Sequence, residues 1–381
     1  MTGATAYRCK EIFDGDKIHR DSALLVDGGL ISGLCAVCDI PDGHADIDLG
    51  AGVLSPGLVD LQVNGGGGLM LGEAQSVEDI AAICAAHVQL GTTALTPTLI
   101  TDTPETTTRV IDLAVKAWTG GVPGFHGLHL EGPHLFAGRK GAHDADLIRP
   151  MTDDDISLYL TAAKHLPSLM ITVAPETVSG KQIARLVEAG IHVSLGHSDA
   201  SYDQCRQAVE AGASCVTHLF NAMSPLRHRE PGLVGAALDL GVLDVGLIAD
   251  GIHVDPVAMK IALKAKTGPG RVFLVTDAMS QTGTSVTSFM LGGREILRRN
   301  GRLTLEDGTL AGADIDLPAS LRYLRDNLDL GLETALAMVT SGPADVLKRP
   351  LGRLKQGRSA DFVHFSADLV VGGVWLSGKP V

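Results

Sequence analysis

The chain has 381 residues, of which 45% are hydrophobic but only 4% aromatic, so its core must be aliphatic. Its 31 Lys and Arg residues against 44 Asp and Glu residues give a formal net charge of −13, which opposes binding to nucleic acid or to an anionic membrane. No apolar run in the sequence approaches ~18 residues. We therefore expect a cytoplasmic protein with reduced thiols, and neither nucleic acid nor membrane as a partner.

Both ends of the chain carry short strand patterns. Residues 22–26 and 30–34 are strand-like and flank Asp27-Gly28-Gly29, which is a hairpin signal. Near the other end, residues 361–365 and 369–371 are also strand-like. These patterns predict one small β domain built from residues 1–55 and 350–381.

The middle of the chain, residues 56–349, alternates short apolar runs with stretches of helical spacing, such as Val77–Leu90 and Glu105–Trp118. Continuous apolar strands that alternate with helices indicate a parallel sheet covered on both faces. Eight such units over this length favour a closed (β/α)8 TIM-like barrel over an open sheet. The eight runs are Leu58–Val63, Thr93–Thr96, Gly127–Leu130, Met170–Ala174, His192–Gly196, Ser214–Thr217, Val245–Ile248 and Val272–Thr276. After the eighth run, the turn-rich segment Phe289–Leu310 predicts a lid or β-ribbon packed near the small domain.

Polar residues directly follow several of these runs. In a (β/α)8 barrel the functional site lies at the carboxyl ends of the strands, which is where these residues fall. Glu131, His197 and His218 each follow a run, and one carboxylate with two imidazoles suits zinc or a similar divalent ion. Asp277 follows the eighth run and is the candidate acid/base, although it could instead only cap the next helix. A lone histidine near a strand end is more often structural, but the matched positions favour ligands here.

Other polar residues occupy the same end of the predicted barrel. Gln62 and Asn64 end the first run, while Asp250 and His253 follow the seventh. His129 lies two residues before Glu131 in the same predicted strand, so both side chains point into the barrel. For His129 we favour a core or supporting role over a role as metal ligand.

Taken together, the motifs resemble the N-acetylglucosamine-6-phosphate deacetylase family of the amidohydrolase superfamily, from about Leu54 to the C-terminus. Each motif alone is weak, but the set is highly specific. The motifs are Pro56–Gly65, His129-Leu130-Glu131-Gly132-Pro133, Lys140-Gly141-Ala142-His143, Ala174-Pro175-Glu176, Gly196-His197-Ser198, His218–Met223, Arg229-Glu230-Pro231-Gly232, Ala249–His253 and Val275-Thr276-Asp277-Ala278.

The resemblance implies a barrel with a small β-sandwich domain made from both termini. It also implies hydrolysis of N-acetylglucosamine 6-phosphate to glucosamine 6-phosphate and acetate, in amino-sugar catabolism or recycling. Glu131, His197 and His218 would hold one divalent metal per subunit, with zinc favoured and iron, cobalt or manganese as alternatives, and Asp277 would be the acid/base.

For the substrate, the resemblance implies that His143 binds a sugar hydroxyl and that Asn221 and Ala222 contact the phosphate side. Arg229 and His253 match positions that grip the phosphate, at least one of them supplied by a neighbouring subunit. A homodimer with phosphate contacts across its interface is therefore expected, with a small phosphorylated amino sugar as the substrate.

Two departures from the family pattern bear on this interpretation. Many amidohydrolases have His-x-His where this chain has Gln62 and Asn64, so we expect one tight metal site and at most a weak second one or a site-lining role here. The segment Gly312–Leu317 carries two acids, Asp314 and Asp316, which would be unfavourable beside a phosphate.

Alternatives therefore stay open. A deacetylase for the galactosamine epimer or for another N-acyl amine is the nearest, and a non-catalytic assembly protein is disfavoured because all three ligands and the acid/base are present.

Overall fold

A computed structural model describes residues 3–381, so the first two positions of the predicted segment 1–55 lie outside the described residues. Two compact units divide the chain. One contains the residues up to Asp60 together with His87–Ala94 and Asp316–Val381, and the other contains Leu61–Ala86 and Leu95–Ile315. Within the described part of the chain, no helix is both long and apolar enough to cross a lipid bilayer.

The N-terminal strands confirm the predicted β-rich start. The turn between the second and third strands contains Gly28 and Gly29, whose φ angles of 55° and 84° glycine adopts without the strain that a Cβ would impose. The five strands are β1 (Thr5–Phe13), β2 (Ile18–Asp27), β3 (Leu30–Ala36), β4 (Ala45–Asp48) and β5 (Val53–Pro56).

Eight strands of the middle region form one parallel sheet in chain order, which confirms the predicted (β/α)8 barrel. Two backbone hydrogen bonds close it between its last and first strands: Asp277 N donates to Gln62 O at 3.0 Å, and Asn64 N donates to Ala278 O at 2.7 Å. The strands are β6 (Leu58–Val63), then β9 (Thr92–Ile100), β10 (Leu128–Glu131), β11 (Leu169–Val173), β12 (His192–Leu195), β13 (Cys215–Val216), β14 (Asp244–Leu247) and β15 (Val272–Leu274), with a short hairpin of β7 (Gly65–Gly66) and β8 (Leu69–Met70) after the first.

Side chains cap the starts of several helices. Thr152 Oγ1 accepts a hydrogen bond from Asp155 N, and Asp255 Oδ1 accepts one from Val257 N, so unpaired amides at two helix starts are satisfied. The helices are α1 (Val77–Val88), α2 (Pro104–Thr119), α3 (Asp153–Ala163), α4 (Gly180–Glu188), α5 (Tyr202–Glu210), α6 (Gly232–Asp239), α7 (Pro256–Ala265), α8 (Leu317–Leu328), α9 (Leu332–Ala337) and α10 (Ser341–Val346).

The segment after the eighth barrel strand forms an antiparallel sheet of β16 (Ser288–Leu291), β17 (Arg294–Arg299), β18 (Arg302–Thr304) and β19 (Leu310–Ala313). The predicted β-ribbon is therefore confirmed. It belongs to the unit that contains Leu95–Ile315 and not to the domain built from the chain ends. Its buried Leu291, Ile296 and Leu303 pack with Met70 and Met279, which places the ribbon beside the residues that follow β15.

The C-terminal strands β20 (Phe362–Phe365), β21 (Val371–Leu376) and β22 (Lys379–Pro380) join the N-terminal ones in one eight-stranded sheet. Its strand order is β22-β21-β20-β5-β1-β2-β3, and β4 pairs with β1. In its core, Tyr7 meets Phe362 edge-to-face and Phe362 stacks on Trp375, with ring centroids 5.0 and 4.7 Å apart. A β domain assembled from both termini is thus confirmed, while the exact bounds 1–55, 56–349 and 350–381 remain a prediction.

Candidate active site

The polar residues predicted at the strand ends meet around one cavity of about 250 Å³. Glu131 is the last residue of β10, and His197, His218 and Asp277 follow β12, β13 and β15 within three residues. The backbones of these last three have φ angles of 47°, 30° and 53°. Residues other than glycine rarely adopt this left-handed conformation, and such strain concentrates at functional sites.

The side chains of Glu131, His197 and His218 bring three donor atoms together. Glu131 Oε1 lies 3.0 Å from His218 Nε2 and 3.3 Å from His197 Nε2, and the two Nε2 atoms are 3.0 Å apart. Donors held 2.0–2.1 Å from a common ion in tetrahedral or octahedral geometry lie about 2.9–3.4 Å from one another. The three donor atoms therefore fit one divalent metal ion.

The electrostatics of this group also favour a cation. Burial alone would raise the pKa of Glu131, but hydrogen bonds with His197 and His218 hold it well below its usual value. Burial would likewise lower the pKa of His218, yet the hydrogen bond and negative charge of Glu131 outweigh burial and raise it. The ionised carboxylate of Glu131 thus favours positive charge beside it, as a metal site requires.

A hydrogen bond to the backbone sets the orientation of His197. Its Nδ1 lies 2.8 Å from the carbonyl oxygen of Arg139, which can only accept, so Nδ1 carries the hydrogen. In the neutral ring this leaves the lone pair on Nε2, the atom that faces Glu131 and His218. Such support of the second ring nitrogen is typical of histidines that bind a metal.

His143 is held in the opposite tautomer. The backbone N–H of Thr101 donates to Nδ1 of His143 at 3.2 Å, so Nδ1 is the acceptor and Nε2 carries the hydrogen of the neutral ring. Burial, followed by the charge of His197, lowers the pKa of His143 to about 3, so the ring is neutral.

This tautomer bears on the choice between two possible ligand sets. Glu131, His143 and His197 also have potential ligand atoms within 4.8 Å of one another. However, Nε2 of His143 is 3.7 Å from Glu131 Oε2 and points a hydrogen, not a lone pair, into the cavity. The geometry therefore favours His218 as the third ligand and His143 as a hydrogen-bond donor.

Two amide side chains hold Asp277. Asn64 Nδ2 donates to Asp277 Oδ1 at 2.7 Å, and Gln62 Nε2 lies between Asp277 Oδ1 (3.2 Å) and Glu131 Oε1 (3.0 Å). Gln62 thus donates to both carboxylates, while Asn64 donates to that of Asp277. Burial, and then the negative charge of Glu131, raises the pKa of Asp277, which suits a group that must both take and give a proton.

A chain of buried hydroxyl groups lies next to these residues in the barrel. His129 Nδ1 is 3.1 Å from Leu61 O, and its Nε2 is 2.8 Å from Thr172 Oγ1, which in turn is 2.6 Å from Thr217 Oγ1. Both ring nitrogens of His129 therefore have protein partners, which agrees with the supporting role predicted for it.

The predicted substrate residues are only partly brought together. His143, Asn221, Ala222 and His253 line the cavity, whereas Arg229 lies in the exposed 225–230 loop and is not one of the lining residues. The cavity wall also includes residues to which the sequence assigned no role in the site, namely Ile100, Gly141, Ala142, Ile248, Met279, Leu291, Thr309, Leu310 and Gly312. Four of these, Leu291, Thr309, Leu310 and Gly312, come from the ribbon, whose turn-rich pattern carried no chemical signal.

The two acids that argued against a phosphorylated substrate have other partners. Asp314 Oδ2 pairs with Arg298 Nε at 2.9 Å, and Asp316 Oδ1 accepts from Ala319 N at the start of α8. Neither residue lines the cavity. The concern raised by the sequence is therefore not supported by the structure.

Comparisons with protein families, with related sequences and with solved structures all indicate the same family. The Amidohydrolase family profile matches residues 53–381. An N-acetylgalactosamine-6-phosphate deacetylase from Shewanella sp. (strain ANA-3) is 41% identical over 94% of this chain and 91% of its own length. An N-acetylglucosamine-6-phosphate deacetylase from Vibrio furnissii is 32% identical over 99% of this chain and 95% of its own. The crystal structure of N-acetylglucosamine-6-phosphate deacetylase from Pasteurella multocida is similar with a TM-score of 0.95, at 34% identity and 99% coverage of both chains.

Proposed function

Because the chain belongs to the amidohydrolase family, we propose that it is a metal-dependent deacetylase that hydrolyses N-acetylglucosamine 6-phosphate to glucosamine 6-phosphate and acetate. The observation that carries the proposal is the triangle of donor atoms from Glu131, His197 and His218 beside the buried Asp277. The similarity to an N-acetylgalactosamine-6-phosphate deacetylase and an N-acetylglucosamine-6-phosphate deacetylase supports the substrate class. The reaction belongs to amino-sugar catabolism or recycling in the cytoplasm.

Glu131, His197 and His218 would hold one divalent ion, with zinc favoured and iron, cobalt or manganese as alternatives. When bound, the ion supplies polarisation of the amide carbonyl and makes a water molecule more acidic. Gln62 and Asn64 both donate to Oδ1 of Asp277, which leaves Oδ2 as the oxygen that exchanges protons. Asp277 takes the proton of the attacking water there and passes it to the leaving nitrogen.

The remaining residues orient the substrate. The Nε2–H of His143 donates to a sugar hydroxyl or to another substrate oxygen in the cavity, and His253, Asn221 and Ala222 lie on the side proposed for the phosphate. Arg229 is exposed in a single chain. It is proposed to reach the phosphate of a neighbouring subunit in a homodimer, where its planar guanidinium suits bidentate binding of phosphate oxygens.

The galactosamine epimer is a second candidate substrate, since the relative that acts on N-acetylgalactosamine 6-phosphate shares 41% identity with this chain and the Vibrio furnissii enzyme 32%. Acetate release from both epimers, measured as kcat/KM with one metal-loaded preparation, distinguishes the two substrates. A higher value for the glucosamine compound supports the first candidate, and a higher value for the galactosamine compound replaces it with the second. Absence of acetate release from both would refute the proposed activity.

A further inference from the structure

Asp250, three residues beyond β14, makes three hydrogen bonds with the two residues that end its own turn. Its Oδ1 accepts from the backbone N–H groups of Ile252 and His253, each at 2.8 Å. Its Oδ2 lies 2.6 Å from Nδ1 of His253, and the side chains of Asp250 and His253 are 5% and 8% exposed. A carboxylate so enclosed holds the imidazole in one orientation.

These contacts determine which nitrogen of His253 is available to a ligand. Burial would raise the pKa of Asp250, but the hydrogen bond and charge of His253 and the two backbone donors lower it, so the carboxylate is ionised and can only accept. Nδ1 of His253 therefore carries a hydrogen. Nε2 lies on the opposite edge of a ring that lines the cavity together with Asp277 and Asn221.

We propose that Asp250 is a positioning residue that acts through His253, fixing its ring with Nε2 toward the cavity and balancing the positive charge that the ring carries when it binds the phosphate group of the substrate. The inference rests on the proposed function, because a sugar phosphate is the ligand that would use this charge. Asp250 itself needs no contact with the substrate. Its Oδ1, which accepts from the two backbone N–H groups and closes the turn, would by itself serve only stability.

The substitution Asp250→Asn separates these two roles. Asn retains an oxygen that can accept from Ile252 N and His253 N, but its amide donates to His253 Nδ1 and carries no charge. His253 then keeps a neutral Nε2–H donor without the ion pair. Because a charged hydrogen bond is about twice as strong as a neutral one, phosphate binding should weaken while the turn stays formed. Asp255→Asn is the matched control, since Asp255 only caps α7 and Asn caps a helix equally well.

The experiment measures dissociation constants for glucosamine 6-phosphate and glucosamine by calorimetry, for wild type, Asp250→Asn, His253→Gln, the double variant and Asp255→Asn. We expect Asp250→Asn to weaken binding of the phosphorylated sugar about 10-fold and to change binding of the unphosphorylated sugar by less than about 2-fold. In the His253→Gln background, Asp250→Asn should change the dissociation constant of the phosphorylated sugar by less than about 2-fold, because the effects of two residues that act as a unit are not additive. The Asp255→Asn control should match wild type.

Each other outcome overturns the inference. If Asp250→Asn weakens binding equally with and without His253, Asp250 has a purely structural role. If it weakens binding of both sugars equally, its effect does not depend on the phosphate group. No binding of glucosamine 6-phosphate by wild type would also overturn it. Acetate release by wild type from either epimer is measured separately, so failure of the proposed deacetylation is recognised apart from failure of this inference.

Discussion

The two possible metal-ligand sets differ in whether the third ligand is His218 or His143. They therefore predict opposite effects on metal affinity when each of these two histidines is replaced by Gln. In the structure, His218 Nε2 lies 3.0 Å from Glu131 Oε1 and 3.0 Å from His197 Nε2. His143 Nε2, by contrast, lies 3.7 Å from Glu131 Oε2 and carries a hydrogen. Changing a residue that merely supports a metal ligand typically costs 10–100-fold in metal affinity. We therefore expect His218→Gln to weaken metal binding by more than about 100-fold, since it removes a ligand.

His143→Gln should change metal affinity by less than about 10-fold, at the lower limit for a supporting residue, while kcat/KM falls because the Nε2–H donor is lost. The assay is metal content after dialysis, followed by competition with a chelator of known affinity. Thermal unfolding of the metal-free proteins shows whether each variant is folded. Loss of the metal from His143→Gln and its retention in His218→Gln would refute the ligand assignment and favour the set of Glu131, His143 and His197.

Two further predictions concern proton transfer and pH. Asp277→Asn should lower kcat by about 10²–10⁴ with metal content near that of wild type, and metal loss in this variant would make Asp277 chiefly a ligand. Burial lowers the pKa of His134 from 6.5 to about 4, so the folded state binds fewer protons than the unfolded state between these values. The stability from a neutral His134 is fully present above about pH 6.5 and is lost as the pH falls toward 4, amounting to about 3 kcal/mol. The free energy of unfolding, measured with denaturant, should fall between pH 7 and pH 4 in both proteins. In His134→Gln this fall should be smaller than in wild type by about 3 kcal/mol. An unchanged drop would show that His134 does not titrate in this way.

The barrel and its site could be predicted because strand ends are defined by local pattern. Glu131, His197 and His218 line one cavity because each directly follows an apolar run, and the ends of parallel strands meet at one rim; their role as metal ligands stays a prediction. The second strand was predicted too short, as Thr93–Thr96, whereas β9 continues through Pro97 to Ile100. Proline marks a strand boundary in local sequence, but here the residues after it, Thr98 to Ile100, pair with β10.

The tautomers of the site histidines could not be predicted. They depend on Arg139 O and Thr101 N, which lie 58 and 42 residues away from the rings that they contact. The roles of Asp314 and Asp316 were equally hidden, because an acid in a loop gives no sign of whether it faces a ligand or pairs with an arginine or a helix start. Arg229 lies in an exposed loop and is not among the residues that line the cavity, so its phosphate contact stays a prediction.

The most direct test of the central claim is acetate release from N-acetylglucosamine 6-phosphate and its galactosamine epimer while metal content is varied. Purified protein is stripped with a chelator and titrated with Zn²⁺, and the bound metal is measured at each step. We predict activity that disappears on stripping and rises in proportion to bound metal, reaching its maximum at one ion per chain. Acetate release that is unchanged in fully stripped protein would contradict the account, as would none from either epimer with one metal bound.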